Sequence, residues 1–291
     1  MGCSVAFVGA KQDASGDAGS NDAPTAIAAQ ACPLLTDASV SSPGPYRHRL
    51  HVASSSDGTT FQTDGAVLVE HASAPDAVTG PDGKTWVYFV NGNPGQHAIF
   101  IARQNDAGSW EAFDCVRFDG AIDETAVDPD VVRLADGRYR MFYNPLVPPN
   151  PTVPNPIISS TSSDGIHFVR DAAPAIAVVG ALNPTAVQLN DGSWLMALAT
   201  ENKMYVASSA DGKTFSVTAE FPPSIPDMAY LPELNEVRLY SAEVSGLKIR
   251  SSINGGASWA DVIAHAPAAQ DPSVLRTSAS SWLLFYRSES R

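Results

Sequence analysis

The segment Asp128 to Tyr143 reads DPDVVRLADGRYRMFY, an Asp-Pro start, an apolar run, an Ala-Asp-Gly turn and a second apolar run. Every local sign is that of a β-hairpin. Asp136-Gly137 tolerates the positive φ of a tight turn, and Val131, Val132, Tyr139, Phe142 and Tyr143 suit a pleated, half-buried surface. The constraint on the whole chain is that this unit recurs. Pro75 opens APDAVTGPDGKTWVYFV, Pro184 opens NPTAVQLNDGSWLMALA, Pro226 opens IPDMAYLPELNEVRLYSAE and Pro272 opens DPSVLRTSASSWLLFYRS. Together with Pro129 these prolines lie 54, 55, 42 and 46 residues apart, the period of a repeat architecture built from small sheets.

A second unit alternates with the first. Ser55-Ser56-Asp57-Gly58-Thr59-Thr60-Phe61, Ser162-Ser163-Asp164-Gly165-Ile166-His167-Phe168 and Ser209-Ala210-Asp211-Gly212-Lys213-Thr214-Phe215 share a turn followed by an aromatic. A longer form runs from Ser252 through Asn254-Gly255 to Trp259, and Gln104 to Trp110 is a looser fifth copy. In turns of this Asp-box kind the Asp side chain caps the loop, the Gly takes a positive φ and the aromatic packs between sheets, so these aspartates read as structural.

The two units combine into one module of four strands, and five modules make a five-bladed β-propeller spanning residues 46–291. The first structured residues lack a Pro-led hairpin and the last ones lack an Asp-Gly turn. Residues 46 to 64 are therefore expected to complete the sheet begun by 271 to 291, closing the ring by pairing the N- and C-terminal strands.

Composition narrows the partners. The 291 residues carry a net charge of -13 with a pI near 4.7, which repels nucleic acid and anionic membrane surfaces at long range. No apolar stretch approaches the length of a transmembrane segment. Residues 1–45 are rich in Ala, Ser, Asp and Gly and read as a disordered tether. Its Gly2-Cys3-Ser4 resembles the mature end of a bacterial lipoprotein, acylated on the Cys, with a stray cysteine as the alternative. The expectation is an extracytoplasmic protein, secreted or lipid-anchored, and monomeric. If Cys3 has that fate, Cys32 and Cys115 are free to pair; three free thiols are the alternative.

If the Pro-led strand is innermost and runs away from the mouth of the channel, chemistry belongs where these strands start. That face carries Asp76, Asp128, Asp130, Asp227 and Asp271, with Glu70 and Glu124 just before strands and Glu201, Glu243 and Glu289 after second strands. It also carries Asn144 to Pro156, NPLVPPNPTVPNP, read as a stiff wall or a surface decoration. Asp128 and Asp271 precede their prolines and should converge on the mouth; packing like charges there raises proton affinity, which suits acid-base work. Asp76, Asp130 and Asp227 follow theirs and are expected to bond the local backbone. No histidine spacing signals zinc and no Ser motif a nucleophile elbow; no cofactor is implied, although calcium on the channel axis suits this architecture.

At DPDVVRLADGRYRMFY and SSDGIHF the sequence resembles the five-bladed glycoside hydrolases of families 43, 62 and 32, over about residues 46 to 291. The resemblance to family 43 implies a base at Asp271 and a tuning Asp at Asp128. The family's acidic Glu should lie two residues before a blade proline, where this chain has Leu182-Asn183-Pro184. Neither Leu182 nor Asn183 can donate the proton a hydrolase needs, so Glu201 is the first substitute, followed by Glu124 and Glu243. An inverting enzyme with base and acid about 6.5–9.5 Å apart is the leading reading. Asp76, Asp130, Asp227, Glu124, Glu243 and Asn183 are the expected substrate contacts, and a non-catalytic sugar-binding propeller is the alternative.

Overall fold

The computed structural model describes residues 32, 47–92, 97–107, 109–146, 153–243 and 246–289. Among them there is no α-helix, and none is long and apolar enough to cross a membrane. Five sheets form a ring, a five-bladed β-propeller. The second blade holds β3 (Ala72–Thr79), β4 (Thr85–Asn91), β5 (Ile99–Gln104) and β6 (Trp110–Cys115). The third holds β8 (Ala126–Arg133), β9 (Tyr139–Pro145), β10 (Pro154–Ser162) and β11 (His167–Arg170), with β7 (Arg117–Phe118) and β12 (Ile176–Val179) added. The fourth holds β13 (Leu182–Gln188), β14 (Trp194–Ala199), β15 (Met204–Ser209) and β16 (Ser216–Phe221). The fifth holds β17 (Pro226–Leu231), β18 (Glu236–Glu243), β19 (Gly246–Ser252) and β20 (Ala260–Val262).

The remaining sheet, the first blade, draws on both ends of the described chain. Its order is β2-β1-β22-β21, with β1 (His48–Ser55) and β2 (Val67–Glu70) joined to β21 (Gln270–Ser278) and β22 (Ser281–Glu289). β1 pairs antiparallel with β22 from His48↔Glu289 to Ser55↔Trp282. A register this long fixes which side chains face inward, since a one-residue slip would turn every one of them over.

The Pro-led strands β3, β8, β13, β17 and β21 each pack against their counterparts in the two neighbouring blades, and so line the centre. The Asp-Gly turns staple blade to blade. In each of the three closest copies the Ser hydroxyl accepts the Gly N–H and donates to the Asp, whose Oδ1 caps two further N–H groups. The turn's Gly carbonyl then accepts from the preceding blade: Tyr88 Oη to Gly165, Arg140 Nη1 to Gly212, and Tyr240 Oη to Gly58. A Cβ on Gly212 would meet the Trp194 ring at 2.6 Å, so the close approach requires glycine as much as its φ of +69° does. The turn aromatics Phe61, Phe168 and Phe215 are buried between sheets, Phe215 edge-on to Phe142 at 5.6 Å between centroids. Truncating one of these rings to Ala should cost about 3–5 kcal/mol.

One element was not legible in the sequence, and one pair of alternatives was decided by the structure. Ile176–Val179 pairs with Pro154–Ile157 as a strand added to the four of the module. Cys32, within the expected tether, is disulfide-bonded to Cys115 at the end of β6, with Cα atoms 5.8 Å apart. The rest of residues 1–45, and residues 147–152 of the proline-rich stretch, lie outside the described residues.

Candidate functional site

Four of the five inner strands begin with the same local device. Ala74, Asp128, Asn183 and Asp271, each directly before its proline, have left-handed φ values of 46°, 52°, 46° and 46°. At each of these points the pairing with the next strand shifts register. Non-glycine residues resist this conformation by about 1–2 kcal/mol each, so its recurrence at one mouth marks a place held under constraint. The fifth blade lacks it: Ile225 has no positive φ, and β17 pairs with β18 without a shift.

The bulge brings the residue before the proline and the residue after it to line one cavity. That cavity of about 20 Å³ is bordered by Asp76, Asp128, Asp130, Asn183, Asp227 and Asp271 among others, room for one water. Asp128 and Asp271 thus meet at the mouth.

Deeper in the channel, the residue after each proline forms a closed ring of hydrogen bonds. Asp76 Oδ2 accepts from Val131 N–H at 2.7 Å, and Asp130 Oδ2 from Ala186 N–H at 3.0 Å. Thr185 Oγ1 accepts from Met228 N–H at 3.0 Å, Asp227 Oδ2 from Val274 N–H at 2.7 Å, and Ser273 Oγ from Ala77 N–H at 2.9 Å. Each acceptor therefore holds the next blade; Asp76 and Asp227 also bond the adjacent N–H of Ala77 and Met228, as expected, whereas, among the described residues, Asp130 bonds across blades only. Thr185 and Ser273 also donate to Asp227 and Asp76.

The three carboxylates of this ring are buried, with oxygens within 4.8 Å of one another. Burial pushes the Asp76 carboxyl up to about 7 despite the bonds from Val131 and Ser273. Asp130 and Asp227 are raised well above the usual range, first by burial and then by neighbouring carboxylates. Three charges cannot coexist in so dry a space without protons or a cation to offset them. As a donor set, three carboxylate oxygens fit a hard ion such as calcium.

At the mouth the two aspartates have different surroundings. Asp271 is ion-paired through Oδ2 with Arg287 Nε, and the same oxygen accepts from Ser73 Oγ at 3.4 Å. Arg287 Nη1 lies 3.2 Å from His48 Nε2, and His48 Nδ1 lies 2.8 Å from Ser73 Oγ. Burial, then the Arg287 charge, lowers His48 to about 4. The neutral imidazole accepts from Arg287 through Nε2 and donates through Nδ1, leaving Ser73 to donate to Asp271. Asp128, half-buried, is raised to about 7 by burial and then by the Asp271 charge, against the Asn183 N–H at 3.4 Å.

Asn183 and Ile225 also border a neighbouring cleft of about 410 Å³ between the fourth and fifth blades. Glu201, Glu243 and Gln270 line its walls, with exposed Leu182 where the expected acid is missing. The structure thus brings Asp128, Asp271, Asn183, Glu201 and Glu243 into two adjoining spaces. Glu124 is exposed in the turn before β8 and borders neither. Sequence reasoning missed His48, Ser73 and Arg287; pairing β21 against β22, which sets Gln270 opposite Arg287, is the step that finds the last of these.

The class these features define is a five-bladed propeller with a carboxylate-lined mouth. No family model matches the chain, and no curated protein does. Among solved structures, a family 117 glycoside hydrolase of Zobellia galactanivorans is similar at TM-score 0.55 and 10% identity, over 85% of this chain and 87% of that one. An endo-arabinase of Bacteroides thetaiotaomicron is similar at 0.54 and 14%, over 73% and 87%. A protein of unknown function from Dyadobacter fermentans is similar at 0.56 and 15%, over 80% and 82%. At these identities the likeness is one of fold: the five-bladed architecture of this chain is similar to that of solved glycoside hydrolases.

Proposed function

We propose that the protein is a carbohydrate-active enzyme that hydrolyses glycosidic bonds at the mouth of the channel. The observation that carries this reading is the convergence of Asp128 and Asp271, differently surrounded, on a one-water cavity adjoining a cleft of saccharide size. The neighbours' glycoside-hydrolase names support it. Asp271, gripped by Arg287 and Ser73, is the general base that takes a proton from water. Asp128 keeps its own proton near neutrality and orients or protonates the departing oxygen, with Glu201 on the cleft wall as the second candidate donor. Asn183, Glu243 and Gln270 are placed to bond sugar hydroxyls. The ring of Asp76, Asp130 and Asp227 lies below and sets the floor of the pocket.

Aryl glycosides with good and poor leaving groups test the assignment. Loss of the true donor should spare the good leaving group, whereas Asp271→Asn should stop both. The absent family Glu favours one alternative, a sugar-binding propeller without turnover. Saccharide binding without hydrolysis, abolished by Asp271→Asn, would establish it. The Cys32–Cys115 disulfide supports an oxidising, extracytoplasmic location, to be checked by fractionation of cells expressing the native gene.

A further inference from the structure

The opposite end of the channel carries a cleft that the reading above does not use. It measures about 560 Å³, within the range of small-ligand sites, and lies where the inner strands β8 and β13 end. Arg133, Gln188 and Tyr230 border it, from three successive blades. Among the described residues, the mouth cleft is lined by carboxylates and by no Lys or Arg, whereas this one is lined by an arginine and no carboxylate.

Arg133 is exposed and has no ion pair among the described residues, although ten other arginines do. The nearby acids are engaged elsewhere: Asp136 with Arg138, Glu233 with Arg276, and Asp191 with Ser193. Tyr230 is half-buried and immobilised. Its hydroxyl donates to Asn235 Oδ1 at 2.8 Å and accepts from Asn190 N–H at 3.3 Å, so the ring offers a fixed face. The Gln188 side chain has no hydrogen-bond partner among the described residues. A fixed aromatic face, an unused amide and a guanidinium free to take a carboxylate bidentately match a pyranose ring, its hydroxyls and a uronate group.

We propose that this far-face cleft is a second saccharide site, selective for chains containing uronic acid, with Arg133 on the carboxylate and Tyr230 beneath the sugar ring. It rests on the carbohydrate reading only for the choice of ligand class, and its chemistry is independent of the mouth. Calorimetry with a galacturonate trimer and a neutral galactose trimer tests it. The acidic trimer should bind, and Arg133→Gln should weaken it about tenfold or more, as loss of a charge-assisted bidentate contact does. Gln188→Ala should weaken it less, and the neutral trimer should bind poorly. Arg133→Gln should leave aryl-glycoside turnover unchanged, and Asp271→Asn should leave trimer binding unchanged, so failure at one site is distinguishable from failure at the other. Absence of binding, equal affinity for both trimers, insensitivity to Arg133→Gln, or equally tight binding of an oligoglutamate peptide would each overturn the proposal.

Discussion

Two rings of residues sit one above the other at the centre of this molecule, on either side of the same five prolines. The lower ring, Asp76, Asp130, Thr185, Asp227 and Ser273, varies in residue type but not in job, since every member accepts an N–H from the next blade. The upper ring, Ala74, Asp128, Asn183, Ile225 and Asp271, shares a strained backbone in four members but no common side-chain chemistry. Uniform bonding around a pseudo-fivefold axis is the mark of architecture. Departure from it, with two carboxylates, an amide and two apolar groups at equivalent points, is the mark of a site.

The largest test of that division concerns the blade that both rings depend on. Deleting residues 48–70 removes β1 and β2, exposes the edge of β22 and takes away His48; loss of soluble folded protein is expected by circular dichroism. Deletion of residues 1–31, which keeps Cys32, should leave the melting temperature nearly unchanged. Equal tolerance of both would remove the closed ring from which the comparison starts.

Next comes the upper ring. Asp271→Asn should lower kcat about 10²–10⁴-fold while the melting temperature holds, and Asp128→Asn should behave alike on substrates with poor leaving groups. Full turnover in both variants would return the upper ring to architecture.

In the lower ring the expected signature is reversed. Asp130→Ala strands the buried Ala186 N–H and should cost about 1–3 kcal/mol in urea unfolding, as should Thr185→Ala through Met228 N–H. Asp130→Asn keeps an acceptor and cannot ionise, so its stability should match or exceed that of the parent. A large loss in Asp130→Asn would instead mean that the charge holds a cation, and added calcium should then stabilise the parent but not the variant.

The smallest effect is in pH. Asp76 takes up its proton near 7 in the folded protein, against about 4 for a free carboxyl, and Asp130 and Asp227 are shifted the same way. Between these values the folded state binds more protons than the unfolded one, so stability is fullest near pH 4 and declines as pH rises through 7. Inside that window His48, lowered from 6.5 to about 4, works in the opposite sense against these three carboxyls, as does the turn Asp164, lowered to about 2 by bonds from His167 and Ile166, below it. Melting curves from pH 4 to 8 should show the decline, and Asp76→Asn should reduce it.

How much of this was legible beforehand follows from what each feature depends on. The blades were written locally: prolines that cannot sit inside a ladder, Asp-Gly turns and alternating apolar residues recur at one period, and each signal acts within a few residues. The pairing of Asp128 with Asp271 was also legible, because equivalent positions in a repeat must meet at the axis. The strand Ile176–Val179 was not, since the turn before it, Ser162 to Phe168, pairs β10 with β11, and the further pairing to Pro154–Ile157 is a tertiary matter with no local signal.

What the sequence alone determined, then, was the repeat, the number of blades and which aspartates face the channel, because period and side-chain alternation are properties of short segments. Only the tertiary structure decided that Asp76, Asp130 and Asp227 bond across blades. It alone set Arg287 and His48, 239 residues apart, around Asp271, left Arg133 without an ion pair among the described residues, and joined Cys32 to β6. These contacts depend on how blades approach one another around a closed ring, and no short segment carries that information.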